Sequence, residues 1–289
     1  MPYEIFIQPF VESEAMRRAL VAAIVLALSA APVGVFLMLR RMSLTGDAMS
    51  HAVLPGVAAA FLLSGLAIIP MTIGGLVAGL AVALLSGLAS RVTRQREDSS
   101  LAAFYLISLA LGVLLVSLKG SDLELEHVLF GDILNLADES LVVIGITSTL
   151  SLVGLAVIWR PLVAECLDPA FLSSVSRSGR WAHFTFLVLV VLNLIGAFQA
   201  LGSLLAVGLM MLPAATARFW ARSLDGVVGI AIVIGIAAAY VGLLVAHRLA
   251  LDPGPSIILV SGAAYVLSIL FAPRGVIFDR LRPARHRTA

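Results

Sequence analysis

A chain of 289 residues that is 61% hydrophobic and only 12% charged, with mean hydropathy +1.07, carries more apolar surface than a soluble domain of its length needs. Apolar runs of about 20 residues recur along it, so the chain reads as an all-α, polytopic transmembrane helical bundle in a lipid bilayer. Net charge is only +2, and the basic residues stand beside the apolar runs rather than in one patch, which gives no nucleic-acid surface; the lone cysteine, Cys166, rules out an intrachain disulfide and a cysteine-based metal site.

Residues 1–14 (MPYEIFIQPFVESE) mix three glutamates with aromatic residues and read as a short outer interfacial segment; no removable signal peptide is expected. Nine apolar runs follow, near 17–39, 47–69, 71–90, 100–118, 140–159, 182–201, 203–219, 225–246 and 255–272. Each is about long enough to cross ~30 Å of hydrocarbon as a helix. The pairs 47–69/71–90 and 182–201/203–219 abut, and Pro70 falls at the first of these breaks, where a helix stops and restarts. If one pair is a re-entrant hairpin, the count becomes eight.

Orientation follows from lysine and arginine. With the N-terminus outside and nine alternating spans, all of the 19 basic residues except Arg17, Arg18, Lys119 and Arg248 fall on the inside, which predicts N-out and C-in. Residues 15–274 then form one transmembrane domain with an inside loop at about 161–180, and residues 275–289 a basic cytoplasmic tail. Gly75 and Gly79, and Gly226, Gly229 and Gly235, are spaced to let helices approach closely; that is packing.

The chemistry concentrates just after Arg40-Arg41. Asp47 and His51 stand four residues apart inside an apolar run, so on a helix they share one face. A rise of ~1.5 Å per residue from Arg41 sets them roughly 9–15 Å into the core, near the depth where transporters place substrate sites. Ionisable groups there must pair, bind an ion or face a cavity. Carboxylate plus imidazole is half of a site for zinc or manganese, and two copies of the chain would supply an N2O2 set. An Asp–His hydrogen bond that packs helices, or a proton relay, would use the same pair. Pro55-Gly56 next door loosens the helix.

Other polar features are less specific. Leu212-Pro213-Ala214-Ala215-Thr216-Ala217 breaks a membrane helix with a proline and offers a hydroxyl, either to a pathway or to a carbonyl that the proline leaves free. Gln199 lines a path or hydrogen-bonds between helices. Asp168-Pro169 reads as an N-cap followed by proline at the first helical position. The acidic stretch Asp122–His127 either collects cations and partners or is a solvated loop, while His183 and His247 read as interfacial. Lys119 is the only lysine and no P-loop precedes it; with no HExxH or GxSxG either, the chain is not expected to be an enzyme by itself.

RRMSLTGDAMSHAVLPGVAAAFLL (40–63) resembles the RRM-x-L-x-GDALSHAVLPGVALAFLL signature of the zinc/manganese ABC importer permeases, the membrane subunits of binding-protein-dependent metal uptake systems. The likeness continues at QPF (8–10), Arg96-Glu97-Asp98, LFGDIL (129–134) and QALGSLLAVGLMMLPAATA (199–217), so it covers nearly the whole chain in order. It implies import of zinc, manganese or iron across the cytoplasmic (inner) membrane by ATP-driven alternating access. Asp47 and His51 would hold the transported ion, and no cofactor would be permanently bound. Gln199, Pro213 and Thr216 would lie along the path. Asp168, Pro169, Phe171 and Gly179 would form the coupling segment docked on the ATPase subunits, although Ala170 replaces the glutamate usual in that segment. The implied partners are two cytoplasmic ABC ATPase subunits that hydrolyse ATP, an extracytoplasmic metal-binding protein and a second copy of the chain.

Two rival readings remain. A permease for a metal-chelate cargo such as a siderophore needs a wide path and no protein ligands, so the Asp47–His51 pair argues against it. An ATP-independent, ion-coupled carrier needs no ATPase partner.

Overall fold

The computed structural model describes residues 6–65, 67–93, 97–118, 133–168 and 178–277, and every regular element among them is helical. In chain order these are α1 (Gln8–Glu12), α2 (Glu14–Leu39), α3 (Ser43–Ala52), α4 (Leu54–Ser64), α5 (Ile68–Thr93), α6 (Glu97–Leu118), a 3-10 turn (Ile133–Asn135), α7 (Asp138–Leu167), α8 (Ser178–Ala217), α9 (Leu224–Leu249) and α10 (Pro253–Phe271). The stretch Asp122–His127, Arg96, Pro169, Phe171 and the tail from residue 278 lie outside the described residues.

Local sequence explains the helix ends. Ser13 caps α2 by accepting from the Met16 amide (3.3 Å), and Glu14 sits in the first turn, where it complements the helix dipole. Ser223 does the same for α9 through the Gly226 amide (3.2 Å), and that helix ends on His247, Arg248 and a left-handed Ala250. The first abutting pair of runs parts at Gly65, with φ 70, rather than at Pro70, which falls in the first turn of α5 where a missing N–H costs nothing. The second pair parts at Gly202 inside α8, with φ 69 and ψ 172, a conformation that a side chain would resist.

Among the described residues, seven helical stretches are long and apolar enough to cross a membrane: Glu14–Leu39, Ser43–Ser64, Ile68–Ser90, Asp138–Leu167, Trp181–Phe198, Leu224–Leu249 and Pro253–Phe271. Ser99–Leu115 and Leu205–Ala217 are apolar but shorter. Together they match the nine runs of the sequence in order, and the chain is an integral membrane helical bundle.

The bundle is organised around α2 and the first half of α8. In the apolar windows of Glu14–Leu39 and Trp181–Phe198, 72% and 67% of residues are buried, against 22% in Ile68–Ser90 and 28% in Pro253–Phe271. α2 packs on α7, α8 and α9, while α4, α5 and α6 form a lateral group. Lipid tails are as apolar as leucine, so helices hold together here by close fit and buried hydrogen bonds. Gly34 lies against the Met210 carbonyl, and Gly56 and Gly74 press backbone against backbone between α4 and α5. Gly75 and Gly79 seat Val53, Val57 and Val191, as their spacing suggested, whereas Gly229 faces open space. Ser29 donates to Ser148 (3.1 Å) and Asn193 to Ser151, a buried polar seam joining α2, α7 and α8. At the end where α2 begins, Arg18 pairs with Glu14 (2.8 Å) and Asp138 (2.9 Å), and Tyr240 donates to the Phe6 carbonyl (2.7 Å), holding the N-terminal segment against α9.

Candidate functional site

Arg40 closes α2, and Arg41 follows at φ 59, a left-handed conformation that costs a non-glycine residue on the order of 1 kcal/mol. This turn redirects the chain into α3. Leu44, Asp47 and His51 follow on one face of α3 at helical spacing, and the first two are exposed (Leu44 80%, the Asp47 side chain 63%). His51 is 27% exposed, with its Nε2 atom 3.9 Å from Asp47 Oδ1. That is too long for a hydrogen bond. Two metal–ligand bonds of about 2.1 Å each sum to slightly more than this gap, so one ion fits between the two groups with little movement of either.

The turn that follows His51 is held from behind. Pro55 has no N–H to give to the His51 carbonyl, so the run from Ser43 to Ser64 breaks at Val53 into α3 and α4. Buried Ser108 of α6 donates to the Ala52 carbonyl (2.9 Å) at this break. One turn earlier on α6, Tyr105 stacks on the His51 ring, with centroids 6.5 Å apart and 30° between planes. Gly46 faces the second half of α8, where a Cβ would come within 2.8 Å of Met210 Cε and 2.9 Å of Met211 Cε. α3 therefore packs beside the helix that carries Pro213 and Thr216, on its Gly46 side.

The structure distributes the remaining expected residues differently. Thr216 is fully buried and donates to the Leu212 carbonyl of its own helix (2.7 Å), while buried Pro213 lies near Gly235 of α9. Gln199 stands in α8 shortly before the Gly202 break, and its side chain is outside the described residues. Asp168 closes α7 in an extended conformation, and Gly179 lies in the first turn of α8. Pro169 and Phe171 fall in the segment outside the described residues. Among the described residues no group of three or more His, Cys, Asp or Glu could hold a metal ion, and at this place Asp47 and His51 form a pair.

Sequence reasoning missed Tyr105 and Ser108, which come from another helix with no local signal. It also missed a buried ionic cluster at the Arg40 end of the bundle. Arg40 Nη2 meets Glu165 Oε1 at 2.6 Å and also contacts His183 Nδ1, and the two side chains of the ion pair are only 9% and 15% exposed.

Residues 12–272 match the ABC 3 transport family. The manganese import system permease protein ScaB of Streptococcus parasanguinis is 34% identical over 270 residues, covering 93% of this chain and 95% of that protein. The chelated iron transport system membrane protein YfeC of Yersinia pestis is 31% identical over 280 residues, covering 96% and 94%. Among solved structures, PsaBC from Streptococcus pneumoniae in complex with Fab superposes with a TM-score of 0.84 at 30% identity, covering 98% of this chain and 100% of that one. With a family match across nearly its full length and relatives of this similarity, the chain belongs to the ABC 3 transport family.

Proposed function

We propose that this chain is the permease subunit of an ABC importer for a divalent transition metal, with manganese its preferred ion. The observation that carries the reading is the Asp47–His51 pair, two donors 3.9 Å apart on the exposed face of a broken membrane helix. Two copies would bring these faces together and complete an N2O2 set around one ion. Manganese is the weakest binder of the first-row divalent series and keeps water or carboxylate ligands readily, which suits a site that must also release. The manganese import system named for the Streptococcus parasanguinis relative supports this choice; zinc and iron are the runners-up.

The spans run N-out to C-in on the lysine and arginine distribution, with the two short apolar helices completing nine crossings. The segment between α7 and α8 docks the cytoplasmic ATPase subunits, and a binding protein delivers the ion from outside. ATP-driven closure of the ATPases then opens the path inward. The Yersinia relative's name gives some support to a metal-chelate cargo, but a chelate leaves no open positions for Asp47 and His51 to fill.

The test is manganese binding to the purified protein by equilibrium dialysis. One ion per two chains, lost in both Asp47→Ala and His51→Ala, is the expected result. Stoichiometric binding that survives both substitutions would refute the site.

A further inference from the structure

Arg40, Glu165 and His183 are 125 and 143 residues apart in the chain, yet they meet at one point. Arg40 ends α2. Glu165 lies in the last turn of α7, three residues before Asp168, and His183 lies in the second turn of α8. The two flanks of the segment between α7 and α8 are thus clamped onto the residue from which the chain turns toward Asp47. Arg40 Nη2 bonds Glu165 Oε1 at 2.6 Å and contacts His183 Nδ1, which is 3.8 Å from the same carboxylate oxygen. The guanidinium carbon lies 5.4 Å from the centre of the Phe186 ring. Phe36, one turn earlier on α2, meets both Phe186 and Trp159 edge-on, so aromatic rings from α2, α7 and α8 pack around the cluster.

A buried ion pair is a poor device for stability, because apolar residues of the same size would serve as well. Its value is geometric. A single guanidinium nitrogen, Nη2, reaches both Glu165 and His183, and breaking that contact exposes an uncompensated charge to a low-dielectric interior. Immediately after Arg40 comes the left-handed joint at Arg41, held in place by the helices on either side. Nothing but Met42 separates that joint from α3.

We propose that Arg40, Glu165 and His183 are positioning residues that lock the helix α3 to the end of α7 and the start of α8, so that movement of these two helix ends reaches Asp47 through Arg40 and the Arg41 joint. This rests on the reading of the stretch between them as the ATPase coupling element. Arg40 is not among the proposed ion ligands; it sets where α3 stands when the helix ends move.

The experiment uses the complete complex of this chain with its ATPase subunits and binding protein in lipid vesicles, with manganese uptake and ATP hydrolysis recorded together. In Arg40→Gln and in Glu165→Gln, ATP hydrolysis and manganese affinity stay near wild type, while manganese carried per ATP falls by about ten-fold. The double variant loses no more than either single one, because both act through the same contact. Wild-type uptake per ATP in the single variants, or losses that add in the double, would overturn the proposal. If the glutamine variants do not assemble, Arg40→Lys keeps the charge on a shorter side chain without the planar guanidinium. A fall in uptake per ATP of about three-fold is then expected, and no change would overturn it. Failure of the underlying reading shows separately, as a wild-type chain that does not associate with the ATPase at all.

Discussion

Tyr105 covers one face of the His51 imidazole, and three residues further along the same helix Ser108 holds the carbonyl of Ala52. α6 therefore contacts both the His51 ring and the backbone of the turn that follows it. Removing the ring in Tyr105→Ala is expected to weaken manganese binding by about ten-fold, as loss of a ligand's supporting partner does elsewhere. Tyr105→Phe keeps the stack and should bind within about two-fold of wild type. Isothermal titration on the purified protein separates these outcomes, and equal affinities in all three would show that the stack does nothing for the ligand.

Ser108→Ala removes a buried donor from the break between α3 and α4. The Ala52 carbonyl lies beside a proline-interrupted turn and loses its partner from α6, at a cost of about 1–3 kcal/mol. A lower thermal midpoint in detergent is the readout. An unchanged midpoint would mean that the carbonyl finds another donor.

Gly56 and Gly74 meet backbone to backbone, and a Cβ on either would run into the other's carbonyl. Gly56→Ala should therefore destabilise the α4–α5 pair by about 1–3 kcal/mol or more, the range for an overpacked interior. Gly229→Ala makes a control, since a Cβ there meets nothing and alanine favours the helix. Thermal unfolding of the two variants side by side should show a drop in the first and no drop in the second.

Arg41 holds φ 59 without a glycine's freedom. Arg41→Gly relieves this local strain and should leave stability unchanged or raise it slightly, whereas Arg41→Val, β-branched, should lower it by about 1–2 kcal/mol. The opposite order in thermal midpoints would place the turn in another conformation.

Much of this architecture is legible in the chain itself, because membrane helices announce themselves by apolar runs and helical spacing is local. Asp47 and His51, four residues apart, do stand side by side, and the two abutting runs around residue 202 do part there. What escapes the sequence has physical causes. α7 continues to Leu167, beyond the apolar run ending near 159, because a helix persists past the hydrocarbon when Glu165 finds partners at its end; Pro161 is absorbed within it. Gly65 rather than Pro70 ends the helix before α5, since a positive φ stops a helix while a proline is welcome in a first turn. The Thr216 hydroxyl turns back to its own helix, a choice between neighbours that residue type alone does not decide. The Arg40–Glu165–His183 cluster joins three helix ends far apart in sequence, and no spacing rule foresees it.

The most direct test is manganese uptake into cells that depend on this system, comparing wild type with Asp47→Ala and His51→Ala at matched membrane abundance. Both variants are expected to reach the membrane and to lose uptake by at least about ten-fold, because each removes a proposed ligand of the transported ion. Uptake equal to wild type in either variant, with the protein present in the membrane, would contradict the assignment of the Asp47–His51 pair to the metal path.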